Sequence, residues 1–204
     1  MIKLFNELPI KQHFQIVISN LRRDVYKLPE YQITADNFDK IVQMLKTKNK
    51  IQPTVLNMDG RTSNVTMELR PGSSFPGDYD VDRRKSYPCA VVNYTIPFTG
   101  DSELLSAQPT RIANWTYWAV VSNGYLTFKV WTLYSNEDLN ETVKEMVKKE
   151  AREVIENLEK FNASIHLDIA DFEKTIDGHI LDFLKERKEE IDKRNKRDDD
   201  LNNL

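Results

Sequence analysis

The chain has little cysteine and little glycine, and each shortage excludes a class of site. Cys89 is the one cysteine among 204 residues, so there is no disulfide framework and no zinc-ligand set, which fits a reducing compartment. With six glycines, the chain shows none of the phosphate-binding motifs such as G-x-x-x-x-G-K-S/T. The G-x-S-x-G and H-E-x-x-H motifs of hydrolases are missing too. We therefore expect no bound cofactor.

Long apolar segments and a strong net charge are also missing. No run approaches the roughly 18 apolar residues of a membrane span, and the opening segment MIKLFNELPIKQHF lacks the apolar core of a signal peptide. A net charge of -3 gives no overall attraction to nucleic acid or to an anionic membrane. These features predict a cytoplasmic protein of bacterial or mobile-element origin, without membrane contact.

The N-terminal part of the chain has the spacing of two helices. Apolar residues recur at steps of three and four over residues 10–28, and Pro29 ends that pattern. A second helix is predicted to begin at Thr34-Ala35-Asp36, where Thr34 or Asp36 is a typical capping residue.

The period then changes to that of strands. Alternation over 65–69, the run from Cys89 to Ile96, and two aromatic and β-branched runs predict strands. Asn123-Gly124 lies between the last two runs and is a strong hairpin signal, and Asp59-Gly60 suggests another hairpin. The expected fold is α+β, with two helices and then an antiparallel sheet of about five strands. The buried side of the last hairpin is assigned to Trp118, Val120, Phe128, Val130 and Leu133.

Residues 136–198 predict a long helical arm after an α+β domain at 1–135. Ser135-Asn136-Glu137-Asp138 is the predicted cap, and from Val147 onward the apolar steps follow a heptad. Asn162-Ala163-Ser164 is the predicted break, which makes the arm an antiparallel helical hairpin; the alternative is one interrupted rod. The charged residues between the apolar positions fit a solvated helix face, and residues 199–204 are expected to form a frayed tail or a linker.

A lone two-helix hairpin buries little surface, so the arm is expected to form a homodimer or to dock on a partner protein or the sheet. Deletion of 136–204 is then expected to leave a folded domain. The predicted interface residues are Val147, Val154, Leu158, Phe161, Phe172, Ile176 and Phe183.

The segment 77–87 carries most of the chemistry-bearing residues outside the arm. Asp78, Asp80 and Asp82 alternate, so an extended backbone places them on one face, where a divalent metal ion could bind. The segment lacks the glycine and glutamate of an EF-hand loop. The alternative is a solvated loop with Asp–Arg pairing.

The same segment is basic at one end. Arg83, Arg84 and Lys85, with Arg70 and Arg111 if these lie nearby, are candidates for binding phosphate or nucleic acid. Tyr79, Tyr87 and Trp115 are candidates for stacking on bases. The alternative is a surface patch balanced by the neighbouring aspartates.

The order of elements resembles the N-terminal modules of bacterial restriction and anti-phage defence proteins, in which a small α+β domain and a coiled coil precede an effector. The similarity lies in the 88–134 sheet region and the 136–198 arm, and it implies a recognition, regulatory or assembly role. The leading hypothesis is a non-enzymatic interaction module. The alternatives are a nucleic-acid or nucleotide sensor using the 77–87 loop, and a metal-dependent hydrolase.

Overall fold

A computed structural model describes the backbone of residues 1–112 and 115–202, and the side chains of 1–112 and 115–200. The α+β fold is confirmed. The helices are α1 (Ile10–Tyr26), α2 (Phe38–Lys48) and α3 (Glu141–Asn202). The strands are β1 (Ile2–Lys3), β2 (Leu8–Pro9), β3 (Val55–Leu56), β4 (Thr62–Pro71), β5 (Ser86–Thr99), β6 (Ala107–Gln108), β7 (Trp118–Ser122) and β8 (Tyr125–Trp131).

Six strands form the main sheet, in the order β1-β7-β8-β5-β3, with β4 also paired to β5. All of its pairings are antiparallel, whereas β2 and β6 form a separate parallel pair. The predicted β7–β8 hairpin is confirmed. Asn123 and Gly124 have φ values of 50° and 77°, which match the positive φ that a tight type I′ turn requires at both central positions.

The hairpin predicted around Asp59-Gly60 is wrong. Strands β3 and β4 do not pair with each other. Instead, both pair with β5, β3 at Phe98–Thr99 and β4 at Ser86–Thr95. Asp59 and Gly60 therefore lie in the loop that connects two strands paired in succession with β5.

The alternate side chains of the sheet lie on two faces. On the inner face, Leu126, Phe128 and Val130 are buried in the same core as α3. The outer face carries Thr127, Lys129 and Trp131 of the same strand. Because Ala119 pairs with Phe128 and Val120 with Thr127, Trp118 and Val120 also lie on the outer face. Their assignment to the buried side was wrong, while that of Phe128 and Val130 is confirmed.

The predicted helical hairpin is wrong as well, because α3 is one continuous helix of 62 residues. It begins one residue after Asn140, whose Oδ1 accepts a hydrogen bond from Val143 N–H at 2.9 Å, so Asn140 rather than Ser135–Asp138 caps it. Residues 199–202 continue the helix, and residues 203 and 204 lie outside the described part.

Asn162 marks a tertiary contact rather than a break in α3. Its Nδ2 donates to the Thr54 carbonyl at 3.0 Å, and His166 Nε2 lies 2.7 Å from the same oxygen. Asn162 and Ser164 are buried. Asn162 and His166 are polar because the helix crosses the backbone that leads into β3, where the buried carbonyl of Thr54 needs a donor.

The heptad positions of α3 pack inside the chain. Its first half covers the inner face of the sheet, where Phe161 stacks on Phe5 with ring centroids 5.6 Å apart. Its second half runs beside α1 and α2, where Phe14 stacks on Phe172 at 4.4 Å. The hydrophobic core is thus continuous across the expected domain boundary at 135/136. The residues predicted to form an intermolecular interface are in this core or packed against it: Val147, Val154, Leu158, Phe161, Phe172, Ile176 and Phe183.

Candidate functional site

The loop between β4 and β5, residues 72–85, is held closed by hydrogen bonds within itself. Gly72 N–H donates to the Lys85 carbonyl at 2.7 Å. A Cβ at Gly72 would lie 2.3 Å from the Asp82 carbonyl oxygen, so this close approach of two backbones requires glycine. Asp82 N–H donates to the Tyr87 hydroxyl at 2.8 Å. The loop therefore has a defined shape.

Three of the predicted phosphate-binding cations are used inside this loop. The Arg83 guanidinium donates to the carbonyls of Gly72 (3.2 Å), Phe75 and Pro76 (3.0 Å). Arg84 and Lys85 both pair with Asp82, at 3.4 and 3.9 Å. Arg83 thus holds the loop together, and the other two are balanced by an aspartate, as the alternative interpretation expected.

The remaining two predicted cations occupy different places. Arg70 donates to Ser74 Oγ at 3.0 Å, and its guanidinium lies 5.8 Å from the ring centroid of Trp131. Arg111 contacts Asp168 and Asp171, which belong to α3. Asp168 is buried and accepts from Thr110 N–H at 2.8 Å, so this set fastens the 110–111 segment to the helix. The structure does not join Arg111 to the loop cations.

The predicted metal ligands do not form a metal-binding group. Asp78 and Asp80 are exposed, and Asp82 is paired with Arg84 and Lys85. Across residues 1–112 and 115–202, the ligand atoms close enough for one ion are those of His13, Asp101 and Glu103, within 4.8 Å of one another. The Asp101 carboxylate already accepts from Glu103 N–H at 2.9 Å, as the cap of a short 3-10 turn.

The aromatic residues predicted to stack on bases are also separated. Tyr79 and Tyr87 pack edge-on against Phe75, with centroids 5.9 and 5.6 Å away. Trp115 instead lies 5.6 Å from Phe161 in the core below the sheet.

Cys89 is buried as expected, and burial raises the pKa of its thiol.

The outer face of the sheet presents an aromatic hollow that the sequence interpretation missed. Trp118 and Val120 are 50% and 42% exposed, and Trp131 is 37% exposed. These three side chains line a hollow of about 270 Å³, together with Lys129. By the β7–β8 register, Trp118 and Trp131 are diagonal neighbours, a spacing that aromatic side chains can bridge. The sequence contained a signal for this arrangement, since the strand register that follows from the Asn123-Gly124 turn places both tryptophans on one face of the sheet.

A second groove continues from Trp131 around the end of β8. It has a volume of about 430 Å³, and Trp131, Tyr79 and Met146 contribute to its walls. Met146 is 67% exposed on the first turns of α3. Trp131 lines both the hollow and the groove. We call the two together the tryptophan surface, made of Trp118, Val120, Trp131, Tyr79 and Met146.

Two cations flank this surface. Lys3 Nζ lies 5.3 Å from the ring centroid of Trp118, and Arg70 lies at 5.8 Å from that of Trp131. Such cation–π contacts fix ring orientation and leave positive charge at the rim.

Beneath the hollow, the Tyr117 hydroxyl donates to the Lys129 carbonyl at 2.8 Å. Burial, with the nearby Glu150 carboxylate, raises the pKa of Tyr117 far above its ordinary value, so the phenol keeps its proton.

Comparison with protein-family models, with curated proteins and with solved structures found no match to this chain. Across the described ranges 1–112 and 115–202, none of the helices combines the length and the apolar character needed to cross a membrane.

Proposed function

We propose that this chain is a non-enzymatic recognition module that binds a protein partner through the tryptophan surface. The observation that carries the proposal is the pair of partly exposed tryptophans on one open sheet face, one of which, Trp131, also lines a groove with the exposed Met146. Exposed contiguous apolar surface is typical of interaction sites. Trp and Arg are the residue types that most often dominate binding energy at protein interfaces.

The surroundings of the tryptophans favour a particular kind of partner. Lys3 and Arg70 supply positive charge at the two ends of the surface, and Lys129 lines the hollow. A partner segment with an apolar or aromatic anchor and flanking carboxylates complements this arrangement. Because the order of elements resembles that of modules in bacterial defence proteins, we also propose that the chain acts in the assembly of such a protein. We assign partner binding to the sheet rather than to the helical arm, because the heptad positions of α3 pack inside the chain.

The test is site-specific photo-crosslinking in cells that express the chain. A photoreactive amino acid in place of Val120 is expected to give a discrete adduct. The same amino acid in place of Leu167, which is 52% exposed on α3, is the matched control and is expected to give none. Replacing both Trp118 and Trp131 with alanine is expected to remove the adduct at position 120.

The adduct also reports the partner's identity. An adduct of twice the chain's mass identifies a second copy and places the expected homodimer on the sheet face. Equal crosslinking from positions 120 and 167, or none from position 120, contradicts the proposal.

Single-stranded nucleic acid is the second candidate partner. Exposed aromatic rings next to Lys3 and Arg70 have the chemistry of base stacking combined with backbone neutralisation. Titration with an oligonucleotide should then quench tryptophan fluorescence, and affinity should fall steeply with salt. Unchanged fluorescence at low salt leaves the protein partner as the proposal.

A further inference from the structure

A separate cavity of about 410 Å³ lies on the inner side of the sheet, between the start of β4 and the first turns of α3. Three of its lining residues are cations, Arg61, Lys148 and Arg152, and none is a carboxylate. The whole chain has 32 acidic and 29 basic residues. A cavity lined by positive charge alone is therefore a local departure from the composition, and it favours an anionic occupant.

The three cations converge from two parts of the chain. Lys148 and Arg152 are four residues apart on α3, so they lie on one side of the helix, where like charges repel. Lys148 is paired with Glu145 at 2.6 Å, which lies outside the cavity lining. Arg61 comes from the connection between β3 and β4. Bound negative charge would relieve the repulsion among them.

Tyr94 gives the cavity a fixed wall. Its ring stacks on Phe128, with centroids 5.2 Å apart and planes 12° from parallel. Burial raises the pKa of its phenol, although the positive charges of Arg61 and Lys148 act in the opposite direction. The hydroxyl therefore stays protonated and can donate a hydrogen bond. Arg61 and Lys148 line the cavity together with Tyr94, so all three side chains can reach one ligand.

Thr62 and Ser63 add two hydroxyl groups to the lining. Arginine guanidinium groups bind phosphate oxygens through paired hydrogen bonds, and lysine adds a point charge. A volume of about 410 Å³ falls within the range of small-molecule sites. We propose that this cavity binds a small phosphorylated molecule of the nucleotide class, with its phosphate between Arg61, Lys148 and Arg152. The lining of this cavity shares no residue with the tryptophan surface, so the two proposals can be tested independently.

The test is calorimetric titration of the full chain with inorganic phosphate, pyrophosphate, AMP and ATP. At least one phosphate ester is expected to bind more tightly than inorganic phosphate, because the cavity has room beyond the phosphate. Arg61→Ala and Arg152→Ala are each expected to weaken that binding roughly tenfold or more, the effect of losing a charged hydrogen bond. Arg152→Lys is expected to restore part of it.

Lys149→Ala is the matched control, because Lys149 is an exposed cation beside Lys148 that does not line the cavity. It is expected to leave binding unchanged, and circular dichroism checks that each variant is folded. Three results would overturn the proposal: no probe binds at millimolar concentration, Lys149→Ala weakens binding as much as Arg152→Ala, or no phosphate ester binds more tightly than inorganic phosphate.

Discussion

The two faces of the sheet share one backbone but differ in how far their side chains are buried. Along β8, Leu126, Phe128 and Val130 are buried under α3, while Trp131, one position further, is 37% exposed. The inner face depends on apolar contacts with a helix far away in sequence. The outer face keeps large side chains in solvent, and these contribute little to the core. Hydrophobicity alone therefore does not tell which residues stabilise this fold and which are available for binding.

Removal of α3 should have the largest effect on stability, because it exposes the inner face of the sheet to solvent as well. Deletion of 136–204 takes away a dozen buried apolar side chains, including Leu158, Ile165 and Ile180. At about 1.5–3 kcal/mol each, their loss exceeds a typical total stability of about 5–15 kcal/mol. We expect an unfolded or aggregated product, the reverse of the sequence-based expectation. Near-ultraviolet circular dichroism and light scattering are the measurements.

A shorter truncation is the control for that deletion. Among the α3 side chains described, which extend to residue 200, Ile191 is the last buried one, and Arg194 pairs with Glu30. Removal of 195–204 should therefore leave the fold intact. A soluble, cooperatively unfolding 1–135 fragment would show that the inner face does not need the helix.

One substitution on each face tests the contrast directly. Phe128→Ala on the inner face should lower the free energy of unfolding by about 3–5 kcal/mol, because it leaves a cavity in the core. Trp118→Ala on the outer face should lower it by about 1 kcal/mol or less, since Trp118 is half exposed. Urea unfolding of both variants gives the values. Equal losses would contradict the division into a structural and a binding face.

A charged contact in the helical layer should give a smaller, pH-dependent effect. Burial alone would raise the pKa of the Asp24 carboxyl, but hydrogen bonds from Lys48 and Asn49, together with the positive charges of Lys48 and Arg23, lower it below its usual 3.8. Because the folded-state pKa is the lower one, this contact stabilises the protein above the unfolded-state pKa. That stabilisation is lost as the pH falls through the folded-state pKa.

Asp24→Asn should accordingly be less stable than the natural chain by about 1–3 kcal/mol at neutral pH. The difference should begin to shrink below the usual pKa of 3.8 and be smallest below the lower folded-state pKa, where the Asp24 carboxyl is protonated and neutral, as asparagine is. Chemical unfolding at neutral and acidic pH measures it. A difference that stays constant with pH would show that the Asp24 charge does not contribute.

The smallest effect is expected for the ion pair on the outer face. Lys129 Nζ lies 2.6 Å from Glu68 Oε1, and both side chains are about one third exposed. Glu68→Gln should cost about 0–1 kcal/mol, and less at high salt. A double-mutant cycle with Lys129→Met isolates the pair. A coupling well above this range would mean that the outer face is less accessible to water than its exposure indicates.

Local patterns were sufficient for the first helix and for the β7–β8 hairpin. The helical spacing of 10–28 and the Asn123-Gly124 turn act over a few residues, so they could be recognised directly. The continuity of α3 could not, because Asn162 is a poor helix former and is held by the Thr54 carbonyl, 108 residues away. A heptad pattern predicts burial, but it does not say whether the partner is another chain or this chain's own sheet.

The candidate sites were harder to predict for the same reason. Arg83 looked like a ligand-binding cation, but three carbonyls of its own loop surround it. The tryptophan surface could have been predicted in part, because the two-residue turn fixes the register that places Val120 opposite Thr127. The cationic cavity was not, because nothing local brings Arg61 next to Lys148 and Arg152.

The single helix α3 also constrains the order in which the protein can fold. Phe5 stacks on Phe161, and the Tyr26 hydroxyl donates to Glu190, 164 residues further along. Such distant contacts make folding slow, because large loops must close before the contacts form. During synthesis from the N-terminus, at about 5–20 residues per second, Phe5 waits on the order of ten seconds for its partner. The nascent sheet thus spends that time with its inner face exposed, and this interval is when the chain is most prone to aggregate.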